Sequence, residues 1–155
     1  MQMPTLHLID LLGFSFGLSY TTFSYSSLKV GSPRGSPPTV YITFTVTNTG
    51  SVTGSEAAQL YITLPPNGLT TPKLQLRAFA KVRDLKPGAK RDVTVQLTKY
   101  ALSFWDVTIT GEKSKERGAW RAKEGIYSVA VGGSSNNLPL QGEFELKHGF
   151  VWEGL

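Results

Sequence analysis

The sequence contains no cysteine among its 155 residues, which excludes a disulfide framework and a zinc site built on thiolates. Charged residues are also scarce, at 17% of the chain, whereas 11% of the residues are aromatic. This balance is the opposite of the composition that keeps a chain disordered. No apolar run approaches the ~20 residues that cross a bilayer, so no membrane span is predicted. The composition indicates one globular domain that can bury a core without disulfides or metals.

Residue types that carry out catalysis or hold metals are few and scattered. The two histidines, His7 and His148, lie near opposite ends of the chain and form no metal-ligand spacing. Glu143 and Glu145 share one strand face, whereas the two carboxylates of a glycosidase face each other across a cleft. The G-x-S-x-G pattern at 13–17 lacks the strand–turn–helix context of a nucleophile elbow. The sequence therefore predicts no catalytic residue, no metal site and no cofactor.

The dominant periodicity of the chain is two residues, which is the period of a β-strand. Residues 40–47 place four apolar side chains on one face and three threonines on the other. Comparable short runs occupy Ala58–Leu64, Gln75–Val82, Val93–Leu97, Gly125–Val131 and Leu140–Leu146. Only Leu97–Phe104 favours a helical turn. About seven short strands between turn signals predict an all-β, two-layer antiparallel β-sandwich of the immunoglobulin or fibronectin type III kind.

We divide the chain into one domain with two short flanks. Residues 1–13 are predicted to be a poorly ordered leader, because their apolar stretch lacks the preceding Lys or Arg and the cleavage site of a signal peptide. Residues 14–150 form the sandwich, and residues 151–155 form a C-terminal tail. Within the sandwich, Thr110–Gly118 is a polar hairpin extension or a mobile loop.

Three groups of side chains are candidates for binding. Trp105, Trp120 and Trp152, together with Tyr41, Tyr61 and Tyr100, could form a flat platform for sugar or phenolic rings, although tryptophan in a sandwich more often belongs to the core. From this set we select Trp105, Trp120 and Tyr61 as the predicted platform. An apolar run before the first predicted strand indicates docking or self-association, and comprises Phe14, Phe16, Leu18, Tyr20 and Phe23. A basic surface comprises Lys73, Arg77, Lys81, Arg83, Lys86, Lys90 and Arg91. The basic stretch includes a single aromatic, Phe79, so we interpret it as solvated strand edges and expect no nucleic-acid partner.

Six segments in chain order carry a resemblance to a known family: Phe16–Phe23, Val46–Gly50 with Gly54, Gln59–Tyr61, Leu85–Gly88, Ala101–Asp106 and Val131–Ser135. Together they resemble the C-terminal fibronectin type III-like domain of glycoside hydrolase family 3, especially of fungal β-glucosidases. The resemblance covers Phe14–Leu146. It implies an extracellular, non-catalytic accessory domain with a structural or docking role, because the family's catalytic Asp and Glu lie in two upstream domains. The chain departs from the family's pattern at Gly13, Ser15, Ala78 and Asn136–Asn137.

The resemblance leaves the partner open. It implies that the segment matching Phe16–Phe23 packs near a catalytic domain, and that some members attach to polysaccharide or lignin. One alternative is a stand-alone binding module for glucan, lignin or a cell-surface partner. The other is a homo-oligomer in which the N-terminal aromatic segments pair across a two-fold axis.

Overall fold

A computed structural model describes residues 20–66, 68, 72–110 and 117–153. Ten strands and one short helix account for most of this part of the chain. In order they are β1 (Phe23–Val30), β2 (Val40–Asn48), β3 (Gly54–Thr63), β4 (Gln75–Leu85), β5 (Lys90–Leu97), α1 (Lys99–Leu102), β6 (Phe104–Thr110), β7 (Arg117–Ala122), β8 (Gly125–Gly132), β9 (Leu140–Leu146) and β10 (Phe150–Trp152). The predicted all-β class is confirmed.

The strands form three antiparallel sheets. A three-stranded sheet has the order β1-β2-β5, and a four-stranded sheet has the order β4-β3-β8-β9. The third and smallest sheet has the order β10-β7-β6. The larger two face each other across one hydrophobic core, as in a fibronectin type III-like sandwich. The turn between β4 and β5 carries the chain from one of these sheets to the other.

The strand β2 shows why the sequence folds this way. Val40, Ile42, Phe44 and Val46 are all at most 1% exposed, and the residues between them point to the opposite face. Fully burying a side chain of this kind contributes ~1.5–3 kcal/mol relative to leaving it in water. The alternation thus fixes the register of β2, because a slip by one residue would expose the whole set.

A buried amide at the end of β2 ties three connections together. The Asn48 side chain is inaccessible to solvent. Its nitrogen donates to the carbonyl oxygens of Val52, at 2.8 Å, and Leu85, at 2.7 Å. Its oxygen accepts from the Thr21 hydroxyl, at 2.7 Å, and the Gly50 amide, at 3.0 Å. Asn48 therefore fastens the entry to β1, the β2–β3 turn and the end of β4 to one point of the core.

The structure adds strands that the sequence did not predict. β1 was missed because Tyr25 is its single buried side chain and its pairing with β2 shifts between Ser26 and Lys29. The small sheet of β6, β7 and β10 accounts for the rest. Two residues assigned to the tail, Val151 and Trp152, belong to β10 and pair with β7. The helical turn predicted within Leu97–Phe104 is confirmed as α1.

Candidate functional site

Three tryptophans form one row across the small sheet. Trp105 on β6 pairs with Trp120 on β7, and Trp120 pairs in turn with Trp152 on β10. Directly opposed residues on neighbouring strands point to the same face of a sheet. The Trp105 and Trp120 rings meet edge to face with centroids 5.5 Å apart, and the Trp120 and Trp152 rings are stacked at 5.6 Å. We call these three residues the tryptophan row.

One end of the tryptophan row is anchored to α1. The Trp152 indole N–H donates to the Ser103 hydroxyl at 3.0 Å, and the Tyr100 ring meets the Trp152 ring edge to face at 4.9 Å. The Lys99 ammonium lies 4.2 Å from the centroid of the Trp152 ring. A cation at this distance is attracted by the negative face of the ring. Trp152 is thus fixed by contacts with Ser103, Tyr100 and Lys99, and the Trp120 ring stacks on this fixed indole.

The other end of the tryptophan row is open to solvent. The Trp105 side chain is 44% exposed and lies over the backbone of Gly118. A Cβ atom at Gly118 would come within 2.6 Å of the indole, and the φ of +116° at this position also favours glycine. The absence of a side chain at Gly118 therefore gives one indole face a close backing. Trp105 is the member of the row that a ring-shaped ligand can reach.

A carboxylate supports the β6–β7 pairing beside the tryptophan row. Asp106 is 4% exposed and accepts from the Thr108 hydroxyl at 2.6 Å and from the Thr108 amide at 2.9 Å. Arg121 on β7 donates to the other carboxylate oxygen at 3.2 Å. The hydrogen bonds from Thr108 lower the pKa of Asp106, with a smaller contribution in the same direction from Arg121 and an opposing one from burial. The carboxylate thus stays ionised while it joins the two strands.

The third residue of the predicted platform lies elsewhere. Tyr61 is on β3 in the four-stranded sheet, and its side chain is only 4% exposed. Its hydroxyl donates to the Gln59 side chain at 2.6 Å, and Gln59 donates to the Gly133 carbonyl oxygen at 3.1 Å. Burial raises the pKa of Tyr61 against the opposing effect of a hydrogen bond with Ser135. The structure therefore brings together the three tryptophans named from the sequence and leaves Tyr61 apart.

The N-terminal aromatic set is only partly within the described residues. Phe14, Phe16 and Leu18 lie outside them. Tyr20 is fully exposed, whereas Phe23 on β1 packs against the hydrophobic core of its own domain. Of the two members that the structure describes, only Tyr20 has its ring exposed to solvent.

The basic residues are distributed over both large sheets. Lys81 and Arg83 lie on β4, whereas Lys90 and Arg91 lie on β5. All members of the predicted set are exposed except Arg77, which is half-buried and whose pKa is lowered by that burial. The Arg77 guanidinium donates to the carbonyl oxygens of Tyr100 and Ser103, and so joins β4 to α1 and to the residue that follows it.

An open cleft lies between the β1–β2 connection and β9. Its volume is about 730 Å³, and its lining includes Glu143, Glu145 and His148. Both glutamates are exposed, as expected for the solvent side of a strand. Within the part of the chain that the structure describes, no group of three or more His, Asp or Glu side chains could hold a metal ion. In those same residues, no helix has the length and apolar character needed to cross a membrane.

Comparison with known proteins defines the class. A family model described as a fibronectin type III-like domain matches residues 56–135, which are 80 of the 155 residues. Together with the observed sandwich, this match shows that the chain belongs to the fibronectin type III-like domain family.

The relatives are longer proteins, of which this chain matches one part. The chain is 39% identical over 149 residues to the probable β-glucosidase H of Neosartorya fischeri, and the match covers 94% of the chain but 17% of that protein. It is similar to the structure of β-glucosidase 3B from Thermotoga neapolitana, with a TM-score of 0.75, 33% identity, and coverage of 91% of this chain and 18% of the other. For the Kluyveromyces marxianus β-glucosidase the TM-score is 0.76 and the identity 34%, with coverage of 92% and 16%. The chain thus spans about a sixth of the length of these relatives, and it corresponds to their fibronectin type III-like C-terminal domain.

Proposed function

We propose that this chain is a non-catalytic accessory domain that docks against the catalytic region of a β-glucosidase. The observation that carries the proposal is the mismatch in coverage: 94% of this chain matches only 17% of the N. fischeri protein. An accessory domain of this kind provides a docking surface and no catalytic residue. We also propose an extracellular location, in keeping with the resemblance to fungal enzymes of this family.

The placement of the acidic residues supports a non-catalytic role. Glu143 and Glu145 lie two residues apart on β9, and both are exposed to water. A glycosidase needs two carboxyl groups that face each other across the scissile bond, with one held in an environment that raises its pKa. Neighbours on the same face of one strand cannot flank a bond in this way.

The test of docking is a fusion in which this chain replaces the matching 149 residues of the N. fischeri β-glucosidase H. We expect the fusion to melt in a single cooperative transition and to hydrolyse a chromogenic aryl β-glucoside. The isolated chain, assayed at equal concentration, should release no more chromophore than buffer does. Glucosidase activity in the isolated chain would overturn the proposal, as would a fusion in which the chain unfolds at the melting temperature that it has alone.

A second candidate function is ring stacking on a polymer such as glucan or lignin, and the tryptophan row favours it. Trp105 offers an exposed indole with a rigid backing, which suits contact with a flat sugar or phenolic ring. The test is sedimentation of the chain with insoluble cellulose, β-glucan and lignin at low and high salt. Salt-resistant binding that Trp105→Ala abolishes would support stacking, because salt screens charge but not apolar contact. The matched control is Tyr41→Ala, since Tyr41 is similarly exposed, at 47%, on β2.

A further inference from the structure

The outer face of β4 exposes large apolar side chains in the middle of a folded strand. Leu76 pairs with Tyr61 of β3, and Phe79 pairs with Gln59. Gln59 and Tyr61 are neighbours on the face of β3 that is turned away from the core. Phe79 is 71% exposed and Leu76 41%, and Leu74 just before the strand is 38% exposed. Among the described strands, Phe79 is the most exposed large apolar side chain. Apolar side chains that are grouped in this way mark an interaction surface more often than isolated ones do.

The floor beneath these side chains is rigid. On the same outer face, Gln59 and Tyr61 are each 4% exposed and are joined by the hydrogen bond between their side chains. Gln59 is further fixed to the Gly133 carbonyl oxygen. A cleft of about 570 Å³ adjoins this floor between Leu74 and Leu138. A partner would therefore meet a preformed surface, which reduces the entropy lost on binding.

The charge on this face has one dominant sign. Lys81 and Arg83 continue the outward-facing positions of β4 beyond Phe79, and both are exposed. Among the described residues, the one ion pair within 4.0 Å joins Arg121 and Asp106, so neither cation is neutralised there. Three acids lie around the face: Asp84 directly follows Arg83, and Glu143 and Glu145 lie on β9 at the far side of the sheet. We call Leu74, Leu76, Phe79, Lys81 and Arg83 together the β4 face.

We infer that the β4 face is the docking surface of this domain, and that its occupant is a protein surface with an apolar centre and carboxylates on one side, supplied by the catalytic region of a β-glucosidase. The inference rests on the proposed function and goes further, because it names the face and the chemistry of the partner. Phe79 and the leucines enter the apolar centre, while Lys81 and Arg83 meet the carboxylates. Complementary charge of this kind fixes the orientation of two surfaces and disfavours wrong partners.

The position of β4 in the sheet suits this role. β4 is an edge strand, since it pairs only with β3 in the order β4-β3-β8-β9. Lys81 and Arg83 on such an edge also oppose pairing with another exposed strand, because stacking like charges on a sheet edge is unfavourable. The β4 face is therefore suited to binding through its side chains instead of by adding a strand.

Hydroxyl-radical footprinting can locate the contact, with the isolated chain compared against the fusion described above. We expect the labelling of Phe79 to fall about tenfold in the fusion, as for a side chain that enters the fully buried centre of an interface. Tyr41, on the other large sheet, should keep its labelling and serves as the internal control. If the fusion melts as one unit while Phe79 labels as in the isolated chain, docking stands and the assignment of the β4 face is overturned.

Charge reversal provides the second measurement. The double variant Lys81→Glu/Arg83→Glu should split the melting of the fusion into two transitions, whereas Lys90→Glu/Arg91→Glu on β5 should leave it single. All four residues are exposed, so the isolated variants should melt within a few degrees of the parent chain, as surface substitutions usually do. Equal effects of the two double variants would overturn the charge argument. A fusion that never folds, beside an isolated chain that does, would count against the docking proposal itself.

Discussion

The indole rings of Trp120 and Trp152 are stacked at 11° with their centroids 5.6 Å apart, although more than thirty residues of chain separate them. Stacked or edge-to-face pairs of aromatic rings contribute ~0.5–1.5 kcal/mol each beyond the burial of their area. Trp120 takes part in two such pairs because it stands in the centre of the tryptophan row. The row is therefore a structural support for the small sheet along most of its length and an accessible surface only at Trp105.

This arrangement predicts unequal effects of two tryptophan substitutions. Trp120→Ala should lower the free energy of unfolding by about 2–4 kcal/mol, since it removes both ring contacts and leaves a gap between β6 and β10. Trp105→Ala should cost about half as much or less, because its ring is 44% exposed and has one ring partner in the row. Urea unfolding followed by circular dichroism measures both. Similar losses for the two variants would show that the row is not organised around Trp120.

The buried amide of Asn48 predicts a large effect of a small change. Asn48→Ala leaves two carbonyl oxygens, one amide and one hydroxyl without the partner they have now, and should lower the free energy of unfolding by about 3–5 kcal/mol. Thr43→Val is the matched control, because Thr43 lies on the exposed side of β2, the strand that also carries Asn48, and its hydroxyl pairs at 3.2 Å with that of Thr94 on β5. That change should cost less than about 1 kcal/mol. Thermal and urea unfolding of both variants decide the matter.

The lowered pKa of Asp106 predicts a stability that depends on acid pH. The folded state binds the proton of this carboxyl less tightly than the unfolded state does, so its contribution is complete above the ordinary carboxyl pKa of about 3.9 and is lost as the pH falls through the folded value. Asp106→Asn should therefore be less stable than the parent chain at pH 7, and the difference should shrink towards pH 3. Urea unfolding at both pH values tests this.

Thr108→Val examines the cause of the Asp106 shift. It removes the hydroxyl that donates to the carboxylate at 2.6 Å but keeps the backbone donor. We expect the free energy of unfolding of Thr108→Val at pH 7 to lie between those of the parent chain and Asp106→Asn. At low pH it should approach the value of the parent chain. A difference between the parent chain and Asp106→Asn that stays constant from pH 7 to pH 3 would contradict the assignment.

The raised pKa values of Tyr25 and Tyr127 predict a loss of stability in alkali. Burial is the main cause in both, and in Tyr25 the Glu56 carboxylate, which accepts from the phenol at 2.5 Å, adds to it. Above pH ~10 the unfolded tyrosines release their protons while the folded ones keep them, so the free energy of unfolding falls by about 1.4 kcal/mol per pH unit for each residue. Tyr25→Phe should make the decline between pH 10 and 11 shallower by about 1 kcal/mol, because the unfolded tyrosine is only half ionised at pH 10. An unchanged slope would contradict the raised pKa of Tyr25.

The strands that the sequence predicted best are those whose burial is complete on one face. The alternation in β2 is visible because every second side chain enters the core. β1 carries one buried residue, Tyr25, and a shift in register, so its sequence has no period to detect. β1 is held by its neighbour β2 and by contacts such as Tyr25 with Glu56 across the sandwich, and these depend on parts of the chain far from it.

The candidate site shows the same limit. The sequence named Trp105, Trp120 and Trp152 as aromatic candidates but gave no means of arranging them in one row, because the row depends on the pairing of β7 with β6 and β10. It placed Tyr61 with them on residue type alone, whereas the position of Tyr61 on β3 assigns it to another sheet. The basic stretch was visible as a run of charges. Its division between the β4 face and β5 follows from the turn at Lys86–Ala89, where the chain passes from one sheet to the other.

The strand β10 also sets an order of events during synthesis. β6 and β7 leave the ribosome first, and their two tryptophans then have no stacking partner on the side that β10 will occupy. Because Trp152 lies in the last described strand, the row can close only when the chain has been made to that residue and has cleared the exit tunnel, whatever follows it. Until then the indole of Trp120 remains uncovered on one face. A nascent chain that pauses between β9 and β10 therefore exposes an apolar surface of the kind that chaperones bind.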